Sequence, residues 1–142
     1  MDRFDKLLDA LENDKTNNIM KTSQSEIKET KNDILQQLGL PRETLKDYHQ
    51  RLKDYIYVDN IDGLESGHYI RWINLSDGLD MNLNKGGYLC DIDIGEHDIY
   101  LVMKPIYNRH FRLKMSNVII FKRLTPDEQL ILSAMKYVQK KQ

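Results

Sequence analysis

The chain has 142 residues, 40% of them hydrophobic and 30% charged, with 21 Lys plus Arg against 22 Asp plus Glu for a formal net charge of -1. That length supports one domain with a single core, and the near-neutral total excludes a globally basic protein, so any attraction to a polyanion has to come from local patterning. One cysteine, Cys90, excludes an internal disulfide framework, no run reaches the roughly 18 apolar residues of a membrane span, and the acids at Asp2 and Asp5 stand where a secretory leader carries bases, so the expectation is a soluble intracellular protein with no membrane partner.

In chain order, Phe4, Leu7, Leu8 and Leu11 have the spacing of a short amphipathic helix over residues 2–13. Asp14 to Asn18 is a polar break. A second helix is predicted from Ser23 to Leu38, with Ser23 and Glu26 as a capping box, Ile27, Ile34, Leu35 and Leu38 on one face, and Gly39 ending it in the left-handed conformation. Pro41 opens a third helix through about Tyr55, with Leu45, Tyr48 and Leu52 along its seam. The expected organisation is a helical N-terminal arm over 1–40, then a small β-barrel domain with flanking helices over 41–142.

From Tyr55 the pattern turns to strands. Tyr55 to Val58 is β-branched and aromatic, and Asp59 to Gly63 is a turn. His68 to Leu75 is a strand apolar on both faces, with Ile70 and Trp72 on one and Tyr69, Ile73 and Leu75 on the other. Ser76 to Gly86 is a polar loop, and Gly86-Gly87 marks a tight turn or bulge. Strict alternation then puts Tyr88, Cys90, Ile92 and Ile94 on one face and Leu89, Asp91 and Asp93 on the other, which makes Cys90 a small buried hydrophobe. After a hairpin at Gly95-Glu96-His97, Ile99, Leu101 and Met103 alternate with Tyr100, Val102 and Lys104, and Pro105 ends the strand because it cannot donate to a ladder. Phe111, Leu113 and Met115 face in, Arg112 and Lys114 out, and Val118 to Leu124 is the last strand. Thr125-Pro126-Asp127-Glu128 starts a closing helix to about Lys140, with Leu130, Ile131, Ala134, Met135 and Val138 inward. The fold class is α+β: N-terminal helices, an antiparallel curved sheet or barrel of five or six strands, Sm- or Tudor-like by analogy, and a C-terminal helix.

Four constellations bear on chemistry. Asp91, Asp93, Glu96 and Asp98 surround one hairpin, but their spacing is not that of a calcium loop and fits a solvated strand edge. The following stretch carries Lys104, Arg109, Arg112, Lys114, Lys122 and Arg123 without an acid, with Tyr100 and Tyr107 nearby. Such a basic, aromatic strand face attracts phosphates and stacks bases; alternatively those bases pair with the acidic hairpin across the sheet. Trp72 is either a recognition anchor or core. The four histidines, His49, His68, His97 and His110, show no zinc spacing, and there is no phosphate loop or nucleophile elbow, so we expect neither metal, cofactor nor enzymatic activity. The expected partner is nucleic acid or an acidic protein. The alternative is a structural protein that self-associates through the helical arm.

The run Gly67 to Leu75 (Gly-His-Tyr-Ile-Arg-Trp-Ile-Asn-Leu), the later Gly86-Gly87, and Asn117 to Glu128 (Asn-Val-Ile-Ile-Phe-Lys-Arg-Leu-Thr-Pro-Asp-Glu) resemble small proteins of nucleocytoplasmic large DNA viruses, the giant-virus group. The resemblance covers residues 45–140 and leaves the arm outside. It implies a viral setting in host cytoplasm or virion, either as a virion component or as a factor acting on viral nucleic acid, and carries no catalytic residue.

Overall fold

A computed structural model describes residues 22–75, 81–106 and 109–140, without the side chains of 105–110 and 139–140. The predicted helix over 2–13 and the break after it lie outside these residues. The elements in order are α1 (Gln24–Gln36), α2 (Arg42–Arg51), β1 (Tyr55–Val58), β2 (Tyr69–Asn74), β3 (Gly87–Ile94), β4 (Ile99–Ile106), β5 (Arg109–Lys114), β6 (Val118–Arg123) and α3 (Pro126–Lys140). They gather into two compact units, one helical, drawn from residues up to His49 and from Leu124 onward, and one built on the sheet, Gln50–Arg123. Among the described residues no helix is long and apolar enough to cross a membrane.

In the helical unit the ends are set by local chemistry. The Ser23 hydroxyl accepts from the Glu26 backbone N–H at 3.2 Å, satisfying one of the orphan donors of the first turn of α1. Gly39, at φ 65°, follows its last turn. Ile27, Leu35 and also Lys31 are buried on α1. Pro41 lies just before α2, and its carbonyl accepts from the Leu45 N–H at 2.9 Å. The capping box of α3 is reciprocal: Glu128 N–H donates to the Thr125 hydroxyl at 3.2 Å, and Thr125 N–H donates to the Glu128 carboxylate at 2.9 Å. That second bond gives a reason for the burial of a carboxylate, Glu128, at this helix start. The inward face of α3 is Ile131 and Leu132, whereas Val138, expected inward, is 55% exposed.

The sheet unit is antiparallel throughout, with strand order β1-β6-β2-β3-β4-β5. The α+β class and six curved strands are as expected, and the sheet is unclosed, with β1 and β5 as its edges among the described residues. Its core face gathers Val58, Leu64, Ile70, Trp72, Leu89, Leu101, Met103, Leu113, Val118 and Ile120. Trp72, 6% exposed, is therefore core, with Phe111 at 5.9 Å between ring centroids. Strand β6 is covered on both sides, since Ile119 and Phe121 on the opposite face are buried as well.

Two expectations fail for identifiable reasons. The β3–β4 register shifts between Leu89, which pairs Met103, and Asp91, which pairs Val102. Cys90 is the extra residue of a bulge, so the alternation changes phase there. Leu89 turns into the core with Ile92, while Cys90 and Tyr88 are exposed. Nor does Pro105 end its strand. Strand β4 continues to Ile106, because a second register shift between Met103 and Ile106 leaves Pro105 where no ladder donor is required.

Gly86 admits no side chain. It has φ 104°, and a Cβ there would lie 2.7 Å from both the Ile70 carbonyl oxygen and the Tyr69 ring. Gly86→Ala is expected to cost about 1–3 kcal/mol of stability, read from urea unfolding; an unchanged midpoint would refute that tight passage. A second prediction concerns His49, whose ring nitrogen Nε2 lies 3.1 Å from Asn32 Oδ1. Its pKa is held below the ordinary 6.5, by burial first and then by the Lys31 charge. Below pH 6.5 the folded ring thus binds fewer protons than the unfolded one, so its contribution is complete above about 6.5 and is lost as pH falls through the lowered value. His49→Gln should flatten the decline in stability between about pH 7 and 5 in a series of urea titrations.

Candidate functional site

Over β3, β4 and β5 the face of the sheet opposite the core carries charged side chains, whereas on β6 that face buries Ile119 and Phe121. Near the hairpin, the acidic and basic halves of the sequence meet. Arg112 bridges Asp93 at 3.3 Å, with its guanidinium 4.7 Å from the Tyr100 ring centroid on the intervening strand. Lys114 bridges Asp98 at 3.3 Å, and the Ser116 hydroxyl donates to the same carboxylate at 3.2 Å. Asp91 accepts from the Ile92 backbone N–H at 2.8 Å. These pairs are weak individually, but they set an acid against each of Arg112 and Lys114 of β5.

The remaining bases are distributed differently. Lys122 pairs in register with Ile56 and with the core residue Ile70, so it alternates to the other side of the sheet and is half-buried. Arg123 and Lys104 are exposed. The Arg109 side chain and all of Tyr107 lie outside the described residues. The structure thus brings Arg112, Lys114 and Tyr100 together with acids, while Arg123 and Lys104 lie beside other aromatic rings.

Arg123 and Lys104 flank a pair of tyrosines that strand periodicity alone does not bring together. Tyr69 of β2 and Tyr88 of β3 are register partners, with rings 4.9 Å apart in an edge-on arrangement. The Arg123 guanidinium lies 4.3 Å from the Tyr69 centroid and also reaches the Tyr88 hydroxyl at 3.5 Å. Lys104 Nζ lies 5.9 Å from the Tyr88 centroid. The result is a row, Arg123, Tyr69, Tyr88, Lys104, crossing β6, β2, β3 and β4. Tyr55, the β1 partner of Arg123, extends it, and burial holds that hydroxyl above its ordinary pKa, with Tyr69 adding to the rise and Arg123 and Arg71 opposing it. Tyr69 is fixed by its hydroxyl donating to the Lys85 carbonyl at 2.8 Å and by the backbone of Gly86 against its ring. Tyr88, in contrast, is 45% exposed. Each tyrosine follows a glycine turn, Gly67-His68 or Gly86-Gly87, and that shared placement is the sequence signal that pairs them.

Among the described residues no group of three or more His, Cys, Asp or Glu is placed to hold a metal ion. Comparison with protein-family models, curated proteins and solved structures finds no match.

The bulge makes a direct chemical prediction. Cys90 should react with a water-soluble disulfide reagent in the folded protein at a rate within about tenfold of that in denaturant, whereas a buried thiol would be protected to the extent of the unfolding equilibrium.

Proposed function

We propose that the chain is a non-enzymatic binding module that takes a polyanion, specifically single-stranded nucleic acid, on the Arg123–Tyr69–Tyr88–Lys104 row. The observation that carries this reading is an exposed tyrosine ring with a cation on each side. Single strands are held without sequence preference by this combination: a base stacks on the aromatic face while flanking cations meet phosphates. Tyr69, clamped by Lys85 and Gly86, serves as the fixed wall, and Tyr88 offers the stacking surface. Arg112 and Lys114 contribute less, because Asp93 and Asp98 already oppose their charge. The near-neutral chain then binds with a short electrostatic footprint rather than a broad one.

The same row also ties four strands together, so binding and stability must be measured side by side. The test is anisotropy of a fluorescein-labelled oligothymidylate. The expected result is affinity falling with salt at a log–log slope of about 0.7 per cation engaged. Tyr88→Ala should cost about 1–3 kcal/mol of binding. Arg123→Glu with Lys104→Glu should lose at least tenfold, and Arg112→Glu with Lys114→Glu less, each beside a urea unfolding curve that shows the variant folded under the binding conditions. Binding indifferent to salt and to all four charge reversals would overturn the proposal. Equal binding of polyglutamate with no dependence on Tyr88 would replace nucleic acid with an acidic protein as the partner.

A further inference from the structure

The other end of the sheet unit has a second surface of opposite character. Beyond Ile92 the core face runs out, and Ile94, the last residue of β3, is left 66% exposed beside the hairpin. Its register partner Ile99 and the neighbouring Ile61 and Met115 continue the apolar surface as the floor of an open groove. One wall is the turn after β1, where Asn60 Oδ1 accepts from the Asp62 N–H at 2.9 Å and holds the chain at Ile61. The other wall is the hairpin, closed by the Gly95 N–H donating to the Asp98 carbonyl at 2.9 Å. The rim is acidic. Asp59 stands on one wall and Glu96 on the other, both exposed, while Asp98 is already engaged by Lys114 and Ser116.

A large aliphatic side chain exposed to this degree at the open end of a core keeps apolar area in water that a partner would cover. Carboxylates on both walls favour a cationic partner and disfavour a polyanion. One turn is pinned by the Asn60 side chain and the other by a backbone hydrogen bond, so little ordering opposes docking. We propose that this groove docks a basic peptide segment of a partner protein, seating one apolar side chain on Ile94 and Ile61 with lysine or arginine on either side against Asp59 and Glu96. The surface is independent of the tyrosine row, and its occupant has the opposite charge.

The experiment uses the full chain and a panel of labelled nonapeptides with a central Leu or Tyr between lysines or arginines. Two control sets replace the bases by glutamate or the central residue by glycine. Basic apolar peptides should bind saturably by fluorescence polarisation, and both controls should lose at least tenfold. Glu96→Lys with Asp59→Lys, and separately Ile94→Ser, should each weaken binding at least tenfold. All three positions are exposed, and near-ultraviolet circular dichroism would verify that the variants fold. Arg123→Glu with Lys104→Glu should leave peptide binding intact, which separates this proposal from the nucleic-acid reading. No saturable binding up to about 1 mM peptide, or equal binding of the acidic controls, would overturn it. So would concentration-dependent self-association in sedimentation that is abolished by Ile94→Ser, because the occupant would then be a second copy of the chain.

Discussion

Between Leu89 and Asp91 the pairing of β3 with β4 slips by one residue, and that slip determines which side chains meet across half of the sheet. A strand has a period of two, so one inserted residue exchanges the faces of everything beyond it. Before the bulge, Tyr88 lies beside Tyr69 on the face away from the core, and Leu89 points inward. After it, Ile92 points inward and Asp93 lies where Arg112 can reach it. A straight β3 could not do both. With Leu89 inward it would carry Ile92 out of the core, and with Ile92 inward it would bring the Tyr88 ring in. The bulge lets one strand serve an aromatic row at its start and a charged cluster at its end.

The electrostatic layout follows from that geometry. The sequence is dipolar along its length, acidic before Ile99 and basic after it, but the fold does not preserve the division. Strand β4 lies between β3 and β5, and side chains from the outer two close over it, Arg112 across the Tyr100 ring to Asp93. Exposed pairs of this sort add little to stability. Their main effect is to cancel field at one place, while Arg123 and Lys104, among the described residues, stand as exposed cations beside the Tyr69 and Tyr88 rings. At the hairpin the cancellation is incomplete in the other direction, since Asp98 is engaged while Glu96 stands exposed on the rim.

How far these features can be read from residue order depends on their range. Helix ends rest on contacts between residues three or four apart, and the Ser23, Gly39 and Thr125–Glu128 signals are all legible. Strand existence is legible as well, because β-branched and aromatic runs between glycine turns leave little alternative. The phase of β3 is not, because nothing in Leu89-Cys90-Asp91 distinguishes an even strand from a bulged one; the choice is made by Met103 and Leu101 on the partner strand. Pro105 misleads for the same reason, since its missing donor matters only where a neighbour requires one. Of the expected binding residues, Arg123 and Lys104 were found by composition, but their companions Tyr69 and Tyr88 are set by the pairing of β2 with β3. Lys122 and Arg123 share a charge, but as adjacent residues of a strand they point to opposite sides.

The strand order carries a consequence for how the chain assembles. The last strand, β6, occupies the slot between β1 and β2, although the whole of β2 through β5 lies between β1 and β6 in the chain. The meander β2 to β5 forms from neighbouring segments, but β1 has no partner within it and β2 has an open side until Val118 to Arg123 arrive. Closing that long loop costs entropy before any contact repays it, so insertion of β6 is expected to be late and slow in folding. On the ribosome, β1 and one edge of β2 must wait for most of the chain to emerge, and during that interval they are the segments most open to capture by other nascent chains or by a chaperone.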